Sequence, residues 1–202
     1  MYRTQGDGAR RPAATQICRA SAAGPAALGE FFAGLSTRTR YLRFFAPLTP
    51  TSAMLRYLCG GGPGHADTLI AVRDGVIVGH AMAADRPGRH GEQAADIGVV
   101  VADACQGEGV GSALVRALIS RAQARGVAVI TMDVLPGNSQ VFTMIASHWP
   151  RARTERTGDG AAVAVPLPRP RQRRAASRRR RPGGSSYDSS VRAAQRAATA
   201  GG

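Results

Sequence analysis

Between residues 14 and 168 the chain switches repeatedly between two spacings of apolar positions, and each switch predicts an element. ATQICRA reads as a first strand and residues 25–34 as a short helix. Ser36 is placed to cap a second helix containing Tyr41, Leu42, Phe44 and Phe45, which Pro47 stops. TSAMLRYLC predicts a third helix, ended by the glycine-rich run 60–64. DTLIAVR and VIVGHAMAA flank Asp74-Gly75, a pair suited to the positive φ angles of a tight hairpin turn. ADIGVVV reads as a central strand. In the next segment Val110, Leu114, Leu118 and Ala122 share one helical face while Arg116, Ser120 and Gln123 lie opposite, and Gly126 ends the helix. VAVITMDVL is expected to be a strand buried on both faces. Asn138 opens a last helix running to about residue 147, with Pro150 beyond, and RARTERT and AAVAVPL close the pattern as paired strands. The order β, α, α, α, β, β, β, α, β, α, β, β predicts an α/β fold with a mixed sheet.

Composition changes this picture mainly at the ends. With 202 residues, 44% hydrophobic and 20% charged, the chain has the balance of a globular protein with one domain. No apolar run approaches the roughly 20 residues of a membrane-spanning helix, and no export signal is convincing, so a cytoplasmic location is expected. Every one of the 27 basic residues is Arg, and the net charge is +14. Residues 169–202 hold ten Arg against the single acid Asp188, so +9 of that charge lies in the tail. We expect a flexible N-terminus over residues 1–13, one domain over 14–168, and a disordered Arg-rich tail over 169–202, which lacks the apolar side chains needed to offset ordering. Nucleic acid could bind only through that tail, whose composition also arises from high-GC coding without any selected role. Cys18, Cys59 and Cys105 are odd in number and scattered, which argues against a disulfide framework, and with four scattered His they form no metal-ligand pattern.

The most informative segment is VVVADACQGEGVGSALVRAL, a strand and short turn leading into a helix, with glycines at 107, 109 and 111. The first N–H groups of a helix lack internal partners and lie at the positive end of its dipole, so exposed glycine amides there suit a pyrophosphate. A P-loop is excluded because the chain has no Lys. A dinucleotide fingerprint fits only partly: the glycine spacing puts Ser112 at its sixth position, although Asp133 keeps an acid in the right region. The bland alternative is a helix start that needs small residues to pack closely on the sheet.

Gln106, Gly109 and Gly111 match Gln/Arg-x-x-Gly-x-Gly/Ala, and on this motif the chain resembles the GNAT superfamily of acetyl-CoA-dependent N-acetyltransferases. STRTRYLRFFAPL is similar to the GNAT domains of bacterial protein-lysine acetyltransferases. The resemblance implies a mostly antiparallel mixed sheet with a splayed central strand and flanking helices over residues 14 to about 168. It implies acetyl-CoA as co-substrate, no metal, and transfer to a primary amine, with a protein lysine as leading acceptor. A small amine, or a non-catalytic acyl-CoA-binding module, is the alternative. By the same resemblance, the backbone of Val99, Val100 and Val101 pairs with the pantetheine arm. The amides of Gly107, Glu108, Gly109, Val110, Gly111 and Ser112, following Gln106, hold the pyrophosphate, and Asn138 contacts the cofactor arm. Asp96 stands at the family's acidic position and is the expected general base, with Glu92 as second candidate. The chain departs from the family after Asn138: NSQVFTMIASHW has no Tyr to protonate the leaving group and offers only Phe142 and His148. His80 is expected to be a satisfied core or edge residue, Arg43 with Phe44 and Phe45 to pack a helix on the sheet, and Cys105 to be a small packed residue.

Overall fold

The computed structural model describes residues 14–60, 66–88, 91–158 and 160–168. The expected N-terminal segment and Arg-rich tail lie outside these residues. The observed order matches the predicted one: β1 (Gln16–Arg19), α1 (Gly24–Ala33), α2 (Thr37–Phe44), α3 (Ser52–Leu58), β2 (Ala66–Arg73), β3 (Val76–Pro87), β4 (Gln93–Val101), α4 (Val110–Ala124), β5 (Val129–Val134), α5 (Ser139–His148), β6 (Arg153–Thr157) and β7 (Gly160–Pro166). Local chemistry fixes the ends of these elements. The Ser36 hydroxyl accepts from the Thr39 N–H at the start of α2, and Thr51 does the same for Met54 at α3. Asp74 and Gly75 turn the β2–β3 hairpin at φ 51° and 79°, the pair of positive angles that matches strand twist.

The seven strands form one sheet in the order β1-β2-β3-β4-β5-β7-β6. Every neighbouring pair is antiparallel except β4 and β5, which run parallel and are joined by α4. Alternation along the strands feeds two cores: Leu69 and Ala71 point to the core built with α4 and α5, while Ile70 between them points to the core under α1–α3. Gly79 is the glycine of close packing, since a Cβ there would lie 2.9 Å from Leu114 of α4.

Contrary to the expectation from its sequence, the segment VAVITMDVL is not buried on both faces. Strand β5 is buried on a single face: Ile130, Met132 and Val134 are buried but Asp133 is exposed. The core under α1–α3 includes no residue of β5, so Thr131 and Asp133 on that side are left open. Among the described residues no helix is long and apolar enough to cross a membrane.

Candidate functional site

The parallel β4–β5 ladder is short. It pairs Ala94 with Val129, Ala95 with Ile130 and Asp96 with Thr131, and then stops. Strand β4 continues on β3 as far as Val101 opposite Gly79, so from Ile97 onward its other edge has no strand partner among the described residues. This is the expected splay, and it opens a cleft of about 480 Å³ between β4, the turn after it, and α5. Val99–Val101 line that cleft along this edge, where Val99 can meet an extended ligand as a strand would and the Val101 carbonyl is taken by Gln106.

At the end of β4 the chain passes through a short 3-10 turn, Asp103–Cys105, and enters α4. Gly107 and Gly109 have φ of 79° and 82°, and a Cβ on either would meet nothing within 4 Å. Both glycines therefore serve backbone conformation and open space, and neither is a close-packing glycine. Gly109 is the N-cap of α4 and supplies no side-chain cap. The amides of Val110, Gly111 and Ser112 are consequently the partnerless donors of a 15-residue helix, with Gly111 and Ser112 at the cleft wall. Of the expected cofactor residues, Glu108 and Val110 do not line the cleft: the Glu108 carboxylate accepts from Arg73 at 2.7 Å, and the Val110 side chain is buried in the core. Gln106 braces the turn, its Nε2 donating to the Val101 carbonyl at 3.2 Å and to Thr39 Oγ1 at 3.3 Å.

Asp103 joins this turn to α2. Its carboxylate accepts from the Ser36 N–H at 2.9 Å, the Ser36 hydroxyl at 2.7 Å and the Thr39 hydroxyl at 2.7 Å. Burial by itself raises the Asp103 carboxyl, but the hydrogen bonds from Ser36 and Thr39 favour the ionised form more and hold it below its ordinary value.

A second cleft of about 350 Å³ shares Arg43, Val99, Asn138, Val141 and Met144 with the first and extends to Asp96, Phe45 and Asp133. Asp96 is exposed there, and its Oδ1 accepts from Arg86 Nε at 2.8 Å and from the Thr131 hydroxyl. Arg43 lies over Gly98, and burial lowers its guanidinium to about 10, which leaves it charged at neutral pH. Asn138 caps α5 through Oδ1, which accepts from the Val141 N–H, and borders both clefts.

The sequence-predicted residues Val99–Val101, Gln106, Gly107, Gly109, Gly111, Ser112 and Asn138 all line one cleft. Asp96 lines the adjoining one, whereas Glu92 lines neither. His148 lines the first cleft with its Nδ1 at 3.0 Å from the Met144 carbonyl, while Phe142 packs into the core. His80 is a core residue but only half satisfied: Nε2 lies 3.0 Å from the Leu58 carbonyl and Nδ1 is buried without a partner. Burial, opposed by the Leu58 hydrogen bond and aided by the Arg43 charge, lowers the His80 ring to about 4, so it is neutral near pH 7. Sequence reasoning assigned no site role to Thr39, Arg43 or Asp103. The available signal was that Thr39, which is buried, and Arg43 stand one helical turn apart and so share a face of α2.

Comparison with known proteins agrees with this architecture. The GNAT domain of PAT from S. lividans superposes with a TM-score of 0.61 at 22% identity, covering 76% of this chain and 88% of that one. YncA, a putative acetyltransferase from Salmonella typhimurium solved with its cofactor acetyl-CoA, gives 0.58 at 19% identity, with 79% and 96% covered. A GNAT superfamily phosphinothricin acetyltransferase from Sinorhizobium meliloti, in complex with AcCoA, gives 0.58 at 16%, with 78% and 89% covered. No curated protein sequence matches the chain significantly. The family model for the acetyltransferase (GNAT) family matches residues 37–142, which run from the first residue of α2 through the splayed strand, the glycine turn and the start of α5, and the chain therefore belongs to that family.

Proposed function

We propose that this acetyltransferase uses acetyl-CoA and passes the acetyl group to a primary amine by direct attack, with a protein lysine as the leading acceptor. The observation that carries the proposal is the end of the β4–β5 ladder at Asp96–Thr131, directly upstream of a glycine turn whose amides open into the same cleft. The residues present fit the co-substrate. Gly107 and Gly109 leave open space where a Cβ would stand, the amides of Gly107–Ser112 would hold the pyrophosphate, and the free edge of Val99–Val101 would hold the pantetheine arm. Asn138 borders both clefts, where it can contact the arm.

Acetyl-CoA, when bound, supplies the activated acyl group, and the remaining tasks fall to this chain's own residues. Asp96 takes the proton of the incoming amine, directly or through a water, on Oδ2, because Arg86 and Thr131 occupy Oδ1. A main-chain N–H near Val99 is the donor for negative charge developing on the carbonyl oxygen; as that charge collapses the C–S bond breaks, and the departing thiolate takes its proton from solvent. The protein-lysine acceptor is supported by the likeness of YLRFF at residues 41–45 to the GNAT domains of bacterial protein-lysine acetyltransferases.

The test is incubation of the protein with acetyl-CoA and a set of candidate acceptor proteins and small amines, following free thiol and acetylated product. Release of thiol matched by acetylated amine is the expected result. CoA binding without turnover on any acceptor would make the protein a binding module instead.

A further inference from the structure

Arg43 is a cation with no counter-charge among the described residues. A Cβ at position 98 would come within 2.6 Å of its Cζ and of one terminal nitrogen, so only glycine at that position lets the guanidinium rest on β4. Its Nε is buried and has no hydrogen-bond partner. Two carboxylates near it are engaged elsewhere, Asp96 with Arg86 and Thr131 and Asp103 with Ser36 and Thr39. The Phe44 ring, 5.2 Å from Cζ, gives a cation–π contact, which offsets the desolvation of a half-buried charge only in small part. Arg43 also borders both clefts, at the junction they share with Val99. A half-buried charge left this way carries part of its desolvation cost unless a partner arrives with a ligand. Across the second cleft Asp133 presents an exposed carboxylate, so one cleft displays a cation and an anion. That pairing complements a ligand bearing both an amine and an acid.

We infer that Arg43 pairs with a carboxylate of the acceptor, so that the preferred substrates of this cleft are amines with a carboxylate close to the nitrogen; the inference rests on the acyl-transfer reading above. An acidic residue flanking a peptide lysine and the carboxylate of a free amino acid offer the same chemistry, and the experiment separates them.

The wild-type protein is given acetyl-CoA with matched acceptor pairs: lysine peptides with Glu or Gln beside the lysine, and free amino acids beside their methyl esters. A charge-assisted pair predicts a kcat/KM about ten- to a hundredfold higher for the acid member of whichever series the cleft takes. Calorimetry of the same peptides and amino acids on the CoA-loaded protein is expected to show the preference as affinity. In Arg43→Met the acid-over-neutral ratio falls toward one. These comparisons are ratios within one protein, and the wild-type pairs carry the test even where the variant folds poorly. Preference in the peptide series alone identifies a flanking acidic residue, and preference among amino acids alone identifies a small zwitterion. Equal rates for acid and neutral partners in both series, with acetylation proceeding, overturn the inference and leave acyl transfer standing. A loss in Arg43→Met that is the same for acid and neutral acceptors also overturns it, placing the cation on a step common to all substrates. Failure to acetylate any amine while CoA binds removes the acyl-transfer reading, and this inference with it.

Discussion

Two titratable side chains on neighbouring strands play opposite parts. Asp96 is exposed at the rim of the second cleft, with Oδ1 engaged and Oδ2 without a partner among the described residues. Asp96→Asn retains size and hydrogen bonding and removes basicity. Turnover at neutral pH is expected to fall by roughly 10²- to 10⁴-fold, with partial recovery as pH rises and more of the acceptor amine is already neutral. CoA affinity, which depends on backbone amides elsewhere, stays near wild type. Wild-type turnover in Asp96→Asn across the pH range would remove Asp96 from the mechanism. His80 lies on β3 opposite Val100 and is fully buried. Its ring is lowered from 6.5 to about 4, so its neutral form is the one the fold accepts. The sign follows directly: above pH 6.5 both states are neutral and the contribution is full, and as pH falls the unfolded chain takes up a proton that the folded chain refuses. Stability is lost between about pH 6.5 and 4, by up to roughly 3 kcal/mol, and this group costs nothing further below that. Urea titrations of wild type and His80→Gln at several pH values measure it. The variant is expected to show a shallower decline over that window, and an identical slope would show that His80 is not the group responsible.

At the scale of elements, the order of strands and helices was legible because punctuating residues stand where the period changes. Asp74-Gly75, Ser36, Asn138 and Gly126 each mark an end that the structure retains. The glycine turn was legible for the same reason, although only the structure separates its two kinds of small residue. Gly107 and Gly109 hold positive φ in open space, whereas the close approach of helix to sheet is made at Gly79. What could not be read was which surfaces meet. Asp103 reaches Ser36 across 67 positions and Thr39 across 64, and nothing in the local pattern of either segment announces the other. The openness of β5 on one face was missed because VITMDV reads as uniformly apolar apart from Thr131 and Asp133, and its covering depends on where α1–α3 end up. Gly111 has no positive φ and a Cβ there meets only Val101 at 3.5 Å, so Gly111→Val places bulk at the cleft wall without backbone strain. Calorimetry is expected to show CoA affinity reduced by more than the tenfold that about 1.4 kcal/mol represents, with a near-normal melting temperature. Unchanged affinity would put the cofactor elsewhere. Asp103→Ala unties α2 from the turn. It is expected to destabilise by about 1 kcal/mol and to raise the KM for acetyl-CoA more than it lowers kcat, because Gln106 loses its oriented Thr39 hydroxyl. A loss confined to kcat would contradict that role.

For the molecule as a whole, charge and apolar content are divided unequally along the chain. The apolar residues that form both cores fall between Ala20 and Leu167, and the described residues end at Pro168. Of the +14 net charge, ten Arg and one Asp in residues 169–202 account for +9, in a stretch with no apolar side chain larger than alanine, prolines aside, before Tyr187. Such a segment has little apolar area to bury and pays the full entropy of ordering, so we propose that it adds nothing to the stability of the preceding domain. A chain ending at Pro168 is therefore expected to melt within about a degree or two of the full chain and to keep its CoA affinity, since even 1 kcal/mol moves the midpoint of a domain of this size by several degrees. Its charge has a separate consequence. Any attraction of the full chain to nucleic acid is expected to weaken steeply with added salt and to vanish on truncation, because phosphate neutralisation by Arg releases counterions in proportion to the contacts made. Melting curves and salt-dependent binding titrations on the two chains test both halves together. A large drop in melting temperature would mean that the tail docks on the domain, and nucleic-acid binding that survives truncation would move the basic surface onto residues 14–168.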